Sequence, residues 1–568
     1  MKIKDAPLRV VIPALILLVS IGYGVFYFNY FETPSGDYIG NIRVPVLQYM
    51  QGDFPGKNFK FLPFFPLVLS ALTRINPLPA EDPVYLTAMI LNMTLLVPYL
   101  FLAFLTYRKY LSDRAAWAAL IFLGTNIYTV YMAVNAELEM TLTTLIILSL
   151  YLAARDSKLS YATAFLTAFT KWDSVFIVPA VMFRDFFYNR RKMLAIVLGT
   201  MASAGAVTWL LLSFITTRGH PYVAEIAHRG PNIYRYLIDC FLVAGSFIQW
   251  MAGHAWYMEN TLLKTAMLAF LAIPGIIVVT GIPWGAVLIW KKQRREFAPV
   301  FIFFAGFLLI HLIYQNTKDR YVMPILWILN LFLITGITGG MMPWLSGICG
   351  RMKQGARGAV TVIIWAAATA LYAATMAAII IDATPAHAFF ALVFTALIAT
   401  VAIYGNGDKK RFGGAALLAL TCGVLINLSV YYGVRALDHH GLSRVEFKQA
   451  ALWYRENAGP GDRMLISETN VPMYYSGFGP ERFAVSFFIK GRTIEEIVPE
   501  LRAMKVTHVF VDDFYIRRLP IKDPNAIDRR AWVFREIRDR GVQSGHFILL
   551  RTFHTKGGIT SYLYRFVP

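Results

Sequence analysis

Apolar runs of about twenty residues recur along the first three quarters of this 568-residue chain. Such a run matches the thickness of a bilayer, where a helix satisfies all of its own backbone hydrogen bonds. Hydrophobic residues make up 57% of the sequence and charged residues 15%, whereas ordinary soluble domains carry about 25% charged residues. The sequence therefore predicts a polytopic α-helical membrane protein.

Basic residues predict the orientation of the chain in the membrane. The first run, 10–30, follows Lys2, Lys4 and Arg9, which the positive-inside rule places in the cytoplasm. Its length and lack of a small-residue cleavage site favour a retained span over a signal peptide. Further spans are predicted near 84–106, 115–133, 139–154, 193–215, 262–290, 298–315, 321–345, 358–381, 386–404 and 412–435, with a hairpin of two half-length helices at 160–187. This map gives about 13 helices in a cell (inner) membrane, a cytoplasmic N-terminus and an external C-terminus.

The net charge of +20 does not indicate a nucleic-acid partner, because the basic clusters punctuate the apolar runs and fall on the predicted cytoplasmic side. The three cysteines are isolated, which argues against structural zinc and a redox centre. The excess of positive charge suits anionic membrane lipids or a phosphorylated substrate.

Two domains are predicted. Residues 1–436 form the membrane module, with an outer loop at 31–82 that contains an interfacial helix near 61–72, and a long polar outer loop at 216–260. Residues 437–568 lack any long apolar run and alternate helical patterns (445–457 and 527–540) with strand patterns (464–467, 508–512, 547–553 and 562–567). We expect a small extracytoplasmic α/β domain there.

Asp37 follows the first span by seven residues and is expected at the outer membrane boundary. A carboxylate there can act as a general base on an incoming hydroxyl or amine. The alternative is an N-cap for a helix over 38–51, since Asp is a preferred capping residue. The local sequence alone favours the cap.

Three other groups of ionisable residues lie in or beside spans, where charges are costly and point to function. Glu137 and Glu139 flank an outer turn and suit acceptor or metal binding, or a solvated loop. Lys171 and Asp173 interrupt the apolar hairpin, either as a structural pair or with Lys171 offered to a phosphate. Arg320 suits phosphate binding or anchoring at the head-group level. His254 and His311 are interpreted as polar residues at span ends.

The order of these motifs resembles the GT-C glycosyltransferases, in particular the branch of the dolichyl-phosphate-mannose–protein mannosyltransferases and the lipid A aminoarabinose transferase. The matching segments are Asp37, Lys60-Phe61-Leu62-Pro63, Glu139, Thr170-Lys171 and Arg320-Tyr321-Val322-Met323-Pro324. The chain has Gly36-Asp37-Tyr38 where many relatives have two adjacent acids. The missing second acid weakens the case for a metal site. No cofactor is assigned, and a divalent cation held by Asp37 and Glu139 stays open as an alternative that the sequence does not indicate.

The resemblance implies an inverting transferase that takes a hexosyl or pentosyl group from a polyprenyl-phosphate donor on the extracytoplasmic face. Its donor phosphate would be held by Lys60, Lys171, Arg320 and Tyr321. Asp37 would be the general base, and Glu137 and Glu139 would orient an acceptor lipid, glycan or protein. With this assignment, the interpretation of Asp37 as a base is preferred to the cap.

A transporter or flippase of lipid-linked sugars is the alternative. Such a protein is expected to show internal repeats and binding charges near the middle of the bilayer. We find no repeat, and the candidate charges other than Lys171 and Asp173 cluster at the predicted outer boundary.

Overall fold

The computed structural model of the chain describes residues 33–53, 62–124, 126–217, 233–246, 261–313, 319–341, 343–344, 445–512, 516, 529–554 and 560–568. The described residues divide into two compact units, one drawn from 45–344 and the other from 33–44 together with 445–568. The predicted spans at 10–30, 358–381, 386–404 and 412–435 lie outside the described residues.

The chain from residue 44 to residue 341 is largely helical where it is described. Its helices are α1 (Val44–Gln51), α2 (Phe64–Ile75), α3 (Pro83–Tyr110), α4 (Asp113–Gly124), α5 (Ile127–Val134), α6 (Glu139–Ala154), α7 (Leu159–Ala168), α8 (Ile177–Phe183), α9 (Lys192–Thr217), α10 (Ile233–Ala244), α11 (Thr261–Ile313) and α12 (Leu326–Gly336). The predicted interfacial helix corresponds to α2. Helix α10 lies within the predicted outer loop at 216–260.

Four helical stretches among the described residues are long and apolar enough to cross a membrane. They are Pro83–Tyr110, Lys192–Ile215, Gly275–Leu312 and Met323–Met341. A fifth candidate is the bent pair Ala115–Gly124 and Tyr128–Val134, whose axes differ by 55°. The protein is therefore a multi-pass membrane protein, while the total of about thirteen helices stays a prediction.

The apolar hairpin is broken where the sequence indicated. Helices α7 and α8 are separated by a 3₁₀ turn, Trp172–Phe176. The Ser174 hydroxyl donates to the carbonyl of Thr167 at 2.6 Å. The same carbonyl accepts from the Thr170 amide at 3.0 Å, so two donors meet it at the end of α7. The break places Lys171 and Asp173 inside the bundle.

Helix α11 contains a break at Gln293, whose φ of −139° and ψ of 32° are not helical. An added Cβ on Gly285 would meet the backbone of Phe332, and the Phe304 ring lies 5.3 Å from the Phe332 ring. A straight helix would separate positions 285 and 304 by about 28 Å. The chain therefore folds back at Gln293, which agrees with two predicted spans on either side of it.

Glycines allow α11 and α12 to touch through their backbones. Gly281 and Gly285 are four residues apart in α11, the small-xxx-small spacing of close-packed membrane helices. A Cβ on Gly285 would collide with the carbonyl oxygen of Phe332, and one on Gly336 would collide with that of Gly281. The Asn330 amide in α12 also donates to the carbonyl of Ala119 at 2.6 Å. These contacts fix α12, which follows the Arg320–Tyr321 segment.

The second unit contains a five-stranded sheet in the order β2-β1-β3-β5-β4. The strands are β1 (Met464–Ile466), β2 (Phe483–Val485), β3 (His508–Val511), β4 (Phe547–His554) and β5 (Thr560–Phe566). Strand β1 is parallel to β2 and β3, and β5 is antiparallel to β3 and β4.

Alternation along β3 explains how helices cover both faces of this sheet. The helices are α13 (Val445–Asn457), α14 (Asn470–Ser476), α15 (Ile494–Ala503) and α16 (Arg529–Arg540). Val509 and Val511 belong to the core that includes residues of α15 and α16. Phe510 points the other way, with its ring 5.2 Å from Phe447 of α13.

We expect Gly285→Ala to lower the free energy of unfolding by about 1–3 kcal/mol, because the added methyl group forces α11 and α12 apart. The control is Gly275→Ala in the same helical stretch, where an added Cβ has no neighbour within 4 Å. The measurement is the unfolding temperature of the purified protein in detergent. Equal unfolding temperatures for the two variants would contradict the proposed backbone contact.

Candidate active site

A buried ion pair occupies the break in the hairpin. The ammonium nitrogen of Lys171 lies 3.1 Å from Oδ2 of Asp173 and 3.8 Å from Oε1 of Glu139. The exposed fractions of these side chains are 13% for Lys171, 6% for Asp173 and 7% for Glu139. Two carboxylates therefore contact the same lysine ammonium group, in a site that is largely shielded from solvent.

His311 extends this pair. Its Nε2 lies 3.2 Å from the same Oδ2 of Asp173, and its ring stacks between the rings of Tyr236 and Tyr321, with centroids at 4.9 and 5.4 Å. Only 4% of the His311 side chain is exposed. His311 is thus part of the candidate site, and its interpretation as a polar span-end residue was incomplete.

Arg320 and Lys171 meet at one aromatic ring. The Tyr321 ring centroid lies 4.7 Å from the Lys171 ammonium nitrogen and 5.4 Å from Cζ of Arg320. Arg320 is also paired with Glu137, with Nη1 3.2 Å from Oε2. Cations over an aromatic face are stabilised by its electron density. Tyr321 therefore groups two cations that are far apart in the sequence.

Backbone carbonyls of the site segments are held by buried polar side chains. The amide of Asn92 in α3 donates to the carbonyls of Asn135 and Glu137, at 2.6 and 2.7 Å. The Tyr236 hydroxyl in α10 donates to the carbonyl of Tyr321 at 3.0 Å. These bonds fix the turn that carries the two glutamates and the segment that carries Arg320.

We call Glu137, Glu139, Lys171, Asp173, His311 and Arg320 the buried charge cluster. It combines the basic side chains of Lys171 and Arg320 with three carboxyl groups and one imidazole. Two buried carboxylate oxygens, Oε2 of Glu139 and Oδ1 of Asp173, have no hydrogen-bond donor among the described residues. An unpaired buried acceptor is costly, so these atoms are suited to receive donors from a bound molecule.

The described residues contain no group of three or more His, Cys, Asp or Glu side chains arranged to hold a metal ion. The cluster fits a substrate with donors and an anionic group more directly. Glu139, one of the two residues considered as metal ligands from the sequence, contacts the Lys171 ammonium group.

The N-cap of the helical turn that contains Asp37 is Ser35, whose hydroxyl accepts from the Tyr38 amide at 3.1 Å. The interpretation of Asp37 as the cap was therefore wrong. Asp37 lies one residue into the turn Gly36–Tyr38 and is half-buried, and its Oδ1 accepts from the Asn41 amide at 3.3 Å. The predicted helix over 38–51 is present, with a π-helical stretch at Ile39–Arg43.

Residues of the C-terminal region hold the Asp37 segment. The Asn470 amide donates to the carbonyl of Gly36 at 3.0 Å, and the Arg43 guanidinium lies 5.0 Å from the Tyr474 ring centroid. A Cβ at Gly36 would collide with the carboxylate of Glu468. These residues are more than 400 positions away in the sequence, and no local pattern in the sequence indicated them.

Lys60 lies outside the described residues. The end of its motif is described: Leu62 is buried against Trp209, and the Phe64 amide donates to the carbonyl of Phe169 at 3.3 Å. The end of the Lys60 motif therefore contacts the hairpin break that carries Lys171.

Comparison with known proteins establishes the fold class. No protein-family model matches the sequence, and no curated protein matches it significantly. The crystal structure of ArnT from Cupriavidus metallidurans bound to undecaprenyl phosphate matches with a TM-score of 0.52 at 12% identity, covering 98% of each chain. The apo structure of the same protein gives 0.51 at 13% identity, covering 99% of this chain and 98% of that one.

ArnT, the lipid A aminoarabinose transferase, is a GT-C glycosyltransferase. The present chain is a membrane protein with a fold of the GT-C type, which confirms the resemblance predicted from the motifs. The similarity extends over nearly the full length of both proteins.

Removing the carboxylate of Asp173 is expected to leave Lys171 and His311 without their shared partner. Breaking a buried ion pair costs about 3–5 kcal/mol, so Asp173→Asn should lower the unfolding temperature strongly. The control is Asp113→Asn, because Asp113 is 71% exposed in its pair with Arg108 and such pairs contribute at most about 1 kcal/mol. Equal shifts in unfolding temperature for the two variants would show that the cluster is not desolvated.

Asn470→Ala is expected to increase hydrogen–deuterium exchange at the backbone amides of residues 36–43 by about five- to tenfold, because one hydrogen bond to that segment is lost. The measurement is mass spectrometry on the full-length protein. The control is Asn457→Ala, whose exposed amide bonds to Trp453 in its own helix. Unchanged protection of 36–43 in Asn470→Ala would contradict the role of Asn470.

Proposed function

We propose that the protein is a glycosyltransferase that moves a sugar from a polyprenyl-phosphate donor to an acceptor on the extracytoplasmic face of the membrane. The observation that carries the proposal is the pairing of Lys171 and Arg320 around the Tyr321 ring, inside a buried cluster rich in carboxylates. The GT-C fold supports it, since ArnT with the same fold binds undecaprenyl phosphate.

Arg320 and Lys171 hold the donor phosphate, with Tyr321 between them and Lys60 as a further cation. An arginine has five N–H donors and a lysine three, so the Glu137 partner of Arg320 and the two carboxylate partners of Lys171 do not exhaust their capacity. Glu137 orients the guanidinium fork, which suits phosphate oxygens. The two cations stabilise the negative charge that grows on the leaving phosphate.

Asp37 acts as the general base. The acceptor oxygen or nitrogen gives its proton to the Asp37 carboxylate and bonds to the anomeric carbon. The bond between that carbon and the phosphate oxygen breaks, and its electron pair leaves with polyprenyl phosphate. Attack from the face opposite the phosphate inverts the anomeric configuration.

Glu139 orients the acceptor, with Glu137 as its neighbour across the outer turn. Oε2 of Glu139 is buried and has no donor among the described residues, so it suits a hydroxyl or amine of an acceptor.

The second candidate function, a transporter or flippase of lipid-linked sugars, is favoured by the depth of Lys171 and Asp173 in the bundle. In vitro formation of a glycosylated product separates the two functions.

Asp37→Asn is expected to lower the rate of sugar transfer by about 10²–10⁴-fold, because a general base is lost while donor binding remains. The measurement is transfer from defined polyprenyl-phosphate sugars, with donor binding measured in parallel. The control is Asp53→Asn, an exposed acid in the same outer segment. Transfer at the wild-type rate by Asp37→Asn would exclude Asp37 as the base.

Arg320→Gln is expected to weaken donor binding by about tenfold or more, because a charge-assisted hydrogen bond to phosphate is lost. That variant also leaves Glu137 without its ion pair. The double variant Arg320→Gln/Glu137→Gln restores neutrality and serves as the folding control. If the double variant is stable and binds the donor as the wild type does, Arg320 does not hold the phosphate.

A further inference from the structure

A cavity lies at the C-terminal end of α6, the helix that begins with Glu139 of the buried charge cluster. It has a volume of about 360 Å³ and is lined by residues at the C-terminal ends of α3 and α6, together with Val300 of α11. Along α6, the lining residues Leu150 to Ala154 lie about 17–23 Å from Glu139. The cavity is therefore not part of the candidate active site. The map predicted from the sequence puts Arg108, Lys109 and Arg155 at the cytoplasmic boundary of the membrane.

The cavity combines cations with an apolar wall. Arg108, Lys109 and Arg155 line it beside the aliphatic side chains of Leu105 and Leu150. A purely water-facing basic patch would lack the apolar wall. A phospholipid has the matching arrangement, with an anionic phosphate next to glycerol and acyl carbon.

Of the three cations that line the cavity, Arg155 is the one without a carboxylate partner among the described residues. Arg108 is paired with Asp113 at 2.8 Å, and Lys109 is paired with Glu296 at 3.1 Å. Arg155 makes no ion pair with any described residue. Its guanidinium donates to the Tyr151 hydroxyl at 2.9 Å and lies 5.2 Å from the centroid of that ring.

Tyr151 thus holds the Arg155 guanidinium beside the cavity, and an anion in the cavity meets a cation that no carboxylate neutralises. The other charges facing the cavity balance in pairs, so one net positive charge remains.

We propose that this cavity binds the headgroup phosphate of an anionic phospholipid, with Arg155 as the main phosphate ligand and Leu105 and Leu150 against the first carbons of the lipid. The site is separate from the proposed transfer reaction and does not depend on it. It would tie the inner ends of α3, α6 and α11 to the lipid composition of the membrane.

The test uses the full-length protein in nanodiscs of phosphatidylcholine mixed with phosphatidylglycerol. Phosphatidylglycerol that stays bound after transfer to detergent is quantified by native mass spectrometry. Arg155→Gln is expected to retain about tenfold less of this lipid, the effect of losing one charge-assisted hydrogen bond. Lys158→Gln is the matched control, because it removes one exposed positive charge from the same loop without lining the cavity.

Two further measurements complete the test. One asks whether the bound phosphate belongs to a lipid or to a soluble anion, and the other asks whether binding needs the shape of the cavity as well as its charge. Ala154→Phe fills the cavity while keeping all three cations, and it should also release the lipid. Glycerol phosphate should not displace phosphatidylglycerol, because it lacks the acyl carbon. Equal losses in Arg155→Gln and Lys158→Gln would overturn the proposal in favour of general charge attraction. Displacement by glycerol phosphate would overturn it in favour of a soluble anion.

Discussion

The desolvation of charge governs the arrangement of the described membrane bundle. A charged side chain within a bilayer is stable only when it is paired or faces a polar cavity. Lys171 therefore takes two carboxylates from different helical segments, and Asp173 serves Lys171 and His311 together. These pairs hold the hairpin break, the start of α6 and the end of α11 close together. Because solvent is excluded, two carboxylate oxygens of the cluster have no hydrogen-bond donor among the described residues, and a bound molecule can supply one.

Interruptions of regular helix create this site, and close helix packing supports it. The hairpin break carries Lys171 and Asp173, and both side chains are largely shielded from solvent. Beside it, α11 and α12 meet backbone to backbone through glycines. That contact is rigid because no side chain can adjust in it. Irregular chain carries the candidate site, and the backbone contacts of α11 and α12 lie next to it.

Features that depend on local patterns could be predicted from the sequence. An apolar run bounded by Glu139 and Arg155 predicted α6 with its observed ends, and the charges of Lys171 and Asp173 predicted the break in the hairpin. Contacts between distant segments could not be predicted, because neither His311 nor Asp173 shows in its own neighbourhood that the other is close. Helix α10 was missed since a short helix among polar and aromatic residues gives no span signal.

The hydrogen bond between Gly36 and Asn470 has a consequence for the order of events during synthesis. The two residues are 434 positions apart, which a ribosome covers in about 20–90 s at 5–20 residues per second. During that interval the nascent membrane helices are already in the bilayer, yet the turn that bears Asp37 has none of its C-terminal contacts. A chain released early therefore exposes this acid without its anchors. The C-terminal contacts of the Asp37 turn can form only after residue 470 has been synthesised.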